Sequence, residues 1–183
     1  MPIPVSGKTD FVQAPEGVHN AICVDVVDLG MVSTNFGPKH QIRIVWELEA
    51  LMPPDKRNPE VRRPFLASKW YTATITQKAN LRKDLQAWRG KPFTDDELEK
   101  FDVEKVIGAQ CRLVIQEYTK QDGSTGTKII SVMKADPKVQ MKKSGFYERV
   151  KDRKPQSGAP MSHAGMPAGE PVPQKEETDV IPF

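Results

Sequence analysis

Hydrophobic and polar residues alternate along three stretches in the first half of the chain. The alternation is clearest over residues 41–49, where the apolar positions are Ile42, Ile44, Trp46 and Leu48. A two-residue period places these side chains on one buried face of a strand and their neighbours on a solvated face. The same period predicts strands over 17–29 and 65–75. In the first of these it groups Ile22, Val24 and Val26 on one face and Cys23, Asp25 and Val27 on the other.

Two tryptophans differ in phase with their strands. Trp46 is in phase with aliphatic residues, so we expect it in the core. In the third stretch, Tyr71 falls in the more apolar phase, whereas Trp70 alternates with Ser68 and Thr72. This pattern predicts that Trp70 lies among polar neighbours on an outer face.

A helical period replaces the alternation after the third strand. Leu81, Leu85 and Trp88 recur at intervals of four and three residues, which predicts one apolar stripe packed on the core. Thr76 is the expected N-cap, and Gly90 is the expected C-terminal stop.

Beyond this helix the pattern returns to strands. The residues Thr94-x-x-Glu97 form a capping box that predicts a second short helix. Alternation resumes over 110–118 and 128–134, and Asp122-Gly123 between them has the chemistry of a tight hairpin turn. The order strand, strand, strand, helix, strand, strand is that of the OB-fold. We therefore expect a mainly β protein, a five-stranded OB-fold barrel with a helical insert between strands 3 and 4. Another small barrel, or a sandwich with an inserted helix pair, is the alternative.

The two ends of the chain carry no sustained pattern. Residues 1–16 are expected to form an N-terminal arm, and 17–139 the folded domain. Residues 140–175 are first basic and then rich in Pro, Gly and Ser, which predicts a flexible linker. Residues 176–183 form an acidic tip with apolar last residues, and we expect this tail to be disordered.

Charge divides the chain into two parts. The formal net charge is +3, but residues 1–169 hold 26 basic and 20 acidic residues, a net charge of +6. From Glu170 onward four acids face only Lys175. A basic body with an acidic tail is expected where phosphates are neutralised.

No residue pattern typical of an enzyme is present. The three histidines are scattered, and no nucleophile motif or phosphate-cradling glycine loop occurs. Cys23 and Cys111 lack the spacing of a zinc site, and we expect them to be reduced core thiols. We therefore expect a binding protein without cofactor or metal. The absence of a leader or a long apolar run predicts a cytoplasmic location.

The chain closes on Asp179, Val180, Ile181, Pro182 and Phe183, preceded by two further acids. An apolar slot on a partner could accept the aromatic ring, and a basic rim could hold the carboxylates. This tip resembles the C-terminal end of bacterial and phage single-stranded DNA-binding proteins, which usually carry an acid where Val180 stands. The resemblance implies that the tip recruits host or phage replication, recombination and repair proteins. Stretches between Lys69 and Gly108 also resemble OB-fold proteins of tailed phages.

Single-strand binding needs a basic groove and aromatic faces on which bases stack. On an OB barrel that surface is the outer face of strands two and three with the neighbouring loops. We expect its centre at Arg43, Lys69, Trp70 and Tyr71, its rim at Lys39, His40, Arg62 and Arg63, and Tyr118 as an outlying candidate. Because Trp70 and Tyr71 are adjacent on a strand, only one can face the DNA, and we favour Trp70. Barrel packing is the alternative role for both rings.

Two functions are consistent with these patterns. The first is a single-stranded DNA-binding protein that coats exposed strands without strong sequence preference during phage DNA replication or recombination. The second is a protein-interaction adaptor whose barrel binds another polypeptide and whose basic charge is incidental. A nuclease is disfavoured because no metal-ligand cluster is visible in the sequence.

Overall fold

Five antiparallel strands dominate the computed structural model, which describes residues 12–54 and 58–153. The strands are β1 Gly17–Thr34, β2 Gly37–Leu51, β3 Pro64–Thr72, β4 Gln110–Thr119 and β5 Thr125–Lys134. Between β3 and β4 lie helix α1 Asn80–Arg89, the short helix α2 Asp95–Glu99 and a 3₁₀ turn Val103–Val106. A second 3₁₀ turn spans Val150–Asp152. The predicted mainly β class and order of elements are confirmed.

The strands form one sheet in the order β3-β2-β1-β4-β5. Each neighbouring pair is antiparallel, and the sheet is open because β3 and β5 are its two edges. Curvature nevertheless brings Cα atoms of β3 and β5 within 8 Å of each other.

β1 and β2 extend well beyond β3. Their ladder continues to the pair Thr34 and Gly37, whereas the last residue of β3 to pair with β2 is Thr72, opposite Gln41. The last part of this two-stranded ribbon therefore projects past the sheet as a long hairpin.

An irregularity in β1 corrects the face assignment made from the sequence. The register shifts between Cys23 and Asp25, so that Ile22 pairs with Glu47 while Val26 pairs with Ile44. A bulge of this kind adds one residue to one strand and reverses the phase beyond it. Ile22 and Val26 therefore lie on opposite faces, and Cys23 and Val26 both enter the core.

The core lies between the concave side of the sheet and α1. Trp46 is fully buried, and its ring centroid lies 5.9 Å from that of Trp88 on α1. The Trp88 indole Nε1 donates to the Gln110 carbonyl oxygen at 2.7 Å, so it joins the helix to the start of β4. The predicted core positions of both rings are confirmed. Cys23 and Cys111 are buried free thiols, as expected.

The boundaries of the helices follow local chemistry. The N-cap of α1 is Ala79, three residues after the predicted cap Thr76, whose carbonyl accepts from Ala79 N in a preceding turn. It ends at Gly90, whose φ of 72° is the left-handed conformation that glycine adopts readily. The capping box of Thr94 and Glu97 is confirmed. In residues 12–54 and 58–153 no helix has the length and apolarity needed to cross a bilayer.

Candidate nucleic-acid interface

The side of the sheet turned away from the core is called the outer face here. Across β2 and β3 its central pair is Arg43 and Trp70, which are direct cross-strand partners. Side chains of such a pair stand on the same face with Cβ atoms about 5 Å apart. Trp70 is 40% exposed. Arg43 is half-buried, and its Nε atom is buried without a partner among the described residues.

Lys39 shares the outward phase of β2 with Arg43. The two residues are four positions apart, which is about 13 Å along a strand. The Lys39 Nζ atom lies 5.2 Å from the centroid of Phe36, an exposed ring at the end of the long hairpin. The hairpin thus carries a cation and an aromatic ring beyond the Arg43 and Trp70 pair.

His40 is placed on the same hairpin in the opposite phase. Its Nε2 lies 2.6 Å from Asp28 Oδ1. The backbone N–H of Gly30 and the His40 ring both bond the Asp28 carboxylate, and they hold its pKa below the usual value. His40 is therefore engaged with a carboxylate rather than free for a phosphate.

Two residues predicted at the centre of the interface lie on the other side of β3. Tyr71 is 4% exposed, and its hydroxyl donates to Asp84 Oδ2 of α1 at 2.8 Å. Burial, together with the Asp84 charge, raises the pKa of Tyr71 well above its ordinary value. Lys69 Nζ lies 2.7 Å from the same carboxylate oxygen. Because successive strand residues point to opposite faces, Trp70 faces outward while its two neighbours face α1. Lys69 and Tyr71 therefore lie apart from the predicted centre of the interface, and of the two adjacent rings it is the favoured one, Trp70, that faces outward.

The remaining predicted residues lie on different elements. Arg62 and Arg63 are exposed just before β3, and the Arg63 guanidinium lies 5.7 Å from the ring centroid of Phe146. Tyr118 is on β4, where its ring lies against Gly126 so closely that a Cβ there would be 2.8 Å from Tyr118 Cζ. The fold thus brings Arg43, Trp70 and Lys39 to one face of β2 and β3, but not Tyr118. The predicted tip residues, Asp179 to Phe183, lie outside the described residues.

Residues 140–153, which the sequence analysis assigned to the linker, contact the outer face. Ser144 donates to Glu47 from both its backbone nitrogen and its hydroxyl, at 2.8 and 2.7 Å. Asp25 accepts from the Tyr147 hydroxyl at 3.1 Å and from Val150 N at 2.9 Å. We call residues 141–153 the strap. The one sequence signal for it is the aromatic pair Phe146-Tyr147, which is unusual in a solvated basic linker.

The strap sets the ionisation of the groups that it covers. Burial raises the pKa of Asp25, but the N–H of Val150, the Arg149 guanidinium and the Tyr147 hydroxyl together bring it below the ordinary value. Burial and the neighbouring Asp25 charge raise the pKa of Tyr147 to about 12. Asp25 is therefore a carboxylate and Tyr147 a neutral donor at neutral pH.

A separate apolar cavity of about 550 Å³ lies beside α1, away from the outer face. Its walls include Leu85, Trp88, Phe93, Phe101 and Val106, with Arg89, Lys105 and Lys134 among the lining residues. Arg89 already forms a two-point ion pair with Glu97. This cavity can accept an apolar side chain, and its basic neighbours favour an acidic partner.

Two further comparisons concern metal ligands and similarity to known proteins. The described residues contain no group of three or more His, Cys, Asp or Glu side chains placed to hold a metal ion. No protein-family model matches the chain, and no curated protein matches it in sequence.

Proposed function

We propose that this protein binds single-stranded DNA on the outer face of β2 and β3, without strong sequence preference, and recruits replication proteins through its C-terminal tip. The observation that carries the proposal is the cross-strand pair of Arg43 and Trp70. An exposed indole offers a face on which any base can stack, and an adjacent guanidinium offers charge to the backbone. Arg43 is half-buried, so it places a positive charge beside the exposed indole.

The topology supports an OB-type barrel for this domain. The OB-fold is a partly open Greek-key barrel, and its nucleic-acid surface is the face of strands 2 and 3 with the adjoining loops. Here the helices fall between β3 and β4, and the two edge strands approach each other across the opening. The Arg43 and Trp70 pair lies on the two strands that such a fold uses.

Charge supports a nucleic-acid ligand over a neutral one. Residues 1–169 carry a formal net charge of +6, and the basic side chains Lys39, Arg62 and Arg63 lie along β2 or at the start of β3. Phosphate neutralisation releases counterions, so binding by such a surface weakens steeply as salt rises.

A titration of the full chain with oligo-dT at two salt concentrations tests the proposal. Trp46 and Trp88 are buried, so fluorescence quenching reports on Trp70. We expect salt-sensitive quenching, and the double variant Arg43→Ala, Trp70→Ala should lose most of the affinity. The matched control is the double variant Lys78→Ala, Ile130→Ala, which removes one basic and one exposed apolar side chain that lie outside this face. Unaltered affinity in the first double variant would remove the proposed surface.

The tip is proposed to act apart from DNA binding. Its acidic residues precede Ile181, Pro182 and Phe183, the order found at the end of the single-stranded DNA-binding proteins it resembles. Deleting residues 180–183 should leave DNA affinity equal or higher, because these residues carry no basic side chain that could contact DNA, while capture of purified replication proteins is lost. Loss of DNA binding on this deletion would contradict the division of labour.

The second candidate function is a protein-interaction adaptor. The apolar cavity beside α1, with Lys105 and Lys134 in its lining, favours it because an acidic peptide with an apolar anchor fits that chemistry. A gel shift with single-stranded and duplex DNA separates the two functions. The adaptor predicts no shift with either, and the DNA-binding protein predicts a shift with the single strand.

A further inference from the structure

The strap forms two limbs across the outer face. The outgoing limb begins where Met141 N donates to Gln110 Oε1 at 3.0 Å, and it crosses β2 where Ser144 bonds Glu47. Gly145, with a φ of 81°, follows Ser144 and allows the chain to turn back. The returning limb reaches β1 where Arg149 Nε donates to Asp25 at 3.1 Å.

Residues below the strap are buried although they point away from the core. Asp25 and Glu47 are 1% and 2% exposed, and both accept their hydrogen bonds from strap residues. Val45 is the cross-strand partner of Asp25 and lies two residues from Glu47, and it is 0% exposed. The strap is therefore held by apolar burial as well as by five hydrogen bonds to two carboxylates.

The strap also changes the sign of the charge on this face. Without it, the carboxylates of Asp25 and Glu47 would face solvent beside Arg43 and would repel a phosphate backbone. The strap covers both and brings five basic and two acidic residues, a formal net charge of +3. Two carboxylates are thereby removed from the surface and replaced by a segment with a net positive charge.

An aromatic ring of the strap stands at the far end of β3 from Trp70. Phe146 is 53% exposed, and its ring lies 5.7 Å from the guanidinium of Arg63. Arg63 precedes Trp70 by seven residues, which is about 23 Å along a strand. Exposed rings thus stand towards both ends of β3: Trp70 opposite the half-buried Arg43, and Phe146 beside the guanidinium of Arg63.

Lys142 is an exposed strap residue between Met141, which bonds Gln110, and Ser144, which bonds Glu47. We propose that the strap is part of the nucleic-acid interface, with Phe146 as a second stacking position and Arg63 and Lys142 as backbone contacts. The bound strand would run along β3 between Trp70 and Phe146. This inference rests on the proposed single-strand binding and assigns its path. A span of about 23 Å is compatible with the 4–16 nucleotides that one OB fold covers.

The first test is a titration of Phe146→Ala in the full chain with dT12. The exposed ring is removed without touching the bonds to Asp25 and Glu47, so the fold should be kept. Loss of one stacked base, about 1–3 kcal/mol, predicts an affinity about 5-fold to 150-fold weaker. The matched control is Ile130→Ala, an exposed apolar residue of β5 outside the strap, which should bind like the wild type.

The second test is the salt dependence of the double variant Arg63→Ala, Lys142→Ala. Each lost phosphate contact should lower the slope of log K against log salt by about 0.7 for a single strand, so about 1.4 in all. Lys78→Ala, Lys83→Ala removes the same charge from the side of α1 and should keep the wild-type slope.

The outcomes separate this inference from the function on which it rests. No binding of dT12 by the wild-type chain would overturn both. Wild-type binding with an unchanged Phe146→Ala affinity and an unchanged slope would overturn the role of the strap alone. Tighter binding by Phe146→Ala would overturn it too, because a strap that competes with DNA would then be a lid.

Discussion

Arg43 of β2 and Trp70 of β3 face each other directly across an antiparallel ladder, on the side of the sheet turned away from the core. The indole is exposed, while the guanidinium is half-buried with its Nε lacking a partner in the described residues. A base stacked on the ring would bring its phosphate or sugar within reach of the arginine. Under the proposed function, two different interactions would meet at one cross-strand position, so single substitutions can test the site.

Replacement of Trp70 by alanine should weaken binding to oligo-dT about 5-fold to 150-fold, the cost of one stacked base. Trp70→Phe keeps a ring and should recover much of the loss. Affinity measured by fluorescence anisotropy of a labelled oligonucleotide checks both variants without relying on the tryptophan signal. Equal affinity in Trp70→Ala and the wild type would show that no base stacks there, and Ile130→Ala on β5 serves as the exposed apolar control.

The Arg43 and Trp70 substitutions should not be additive. Residues in contact or sharing a ligand show interaction energies of about 0.5–3 kcal/mol in double-mutant cycles. If one nucleotide engages both side chains, the double variant should lose less affinity than the two single losses combined. Strict additivity in the cycle would mean that the two residues bind different parts of the strand.

Alternation along β2 and β3 was sufficient to predict which face of the sheet each of two tryptophans, Trp46 and Trp70, occupies. Trp46 enters the core and Trp70 faces outward because each follows the two-residue period of its own strand. The helix stripe and the capping box were predictable for the same reason, since they depend only on residues a few positions apart. The same two-residue period sets Lys69 on the face opposite Trp70, but its partner Asp84 could not be predicted, because Asp84 lies on a helix whose docking is a tertiary feature.

The strap could not be derived from the sequence. Arg149 and Asp25 are 124 residues apart, and no periodic pattern links a carboxylate in a strand to a basic segment after the last strand. The bulge between Cys23 and Asp25 was also not predictable from the alternation. Its extra residue places Ile22 and Val26 on opposite faces. Contacts distant in the chain and irregularities of register are therefore where the sequence-based account departs from the structure.

Tyr71→Phe should separate stability from binding. The variant loses the hydrogen bond from the Tyr71 hydroxyl to Asp84 but keeps the ring in the core. Because Asp84 retains Lys69, the expected loss is about 1 kcal/mol in the free energy of unfolding. Urea denaturation measures this loss, and DNA affinity should be unchanged. A large loss of affinity in a folded Tyr71→Phe protein would return this residue to the interface.

Acid should loosen the strap through Asp25. The pKa of this carboxyl is lowered in the folded protein, since the bonds from Val150 N, Arg149 and Tyr147 outweigh the effect of burial. The folded state therefore binds fewer protons than the unfolded state, and the resulting stability is present above the ordinary value of about 3.9. This contribution to stability is lost as the pH falls from about 3.9 through the lower pKa that Asp25 has in the folded state. At pH 7, Asp25→Asn should have a free energy of unfolding about 2 kcal/mol lower than the wild type, measured by urea denaturation. On acidification the variant should lose less stability than the wild type.

Amide hydrogen exchange can locate this acid effect. The backbone N–H of Val150 donates to Asp25, so its protection factor should fall below pH 4 in the wild type and should be low at all pH values in Asp25→Asn. Asp122→Asn is the matched control, because the bonds from Ser124 lower the pKa of Asp122 in the β4–β5 hairpin. That variant should leave Val150 protected at neutral pH. If Val150 stays protected when Asp25 is replaced, apolar burial and the bonds from Ser144 to Glu47 hold the strap, and the Asp25 carboxylate does not anchor it.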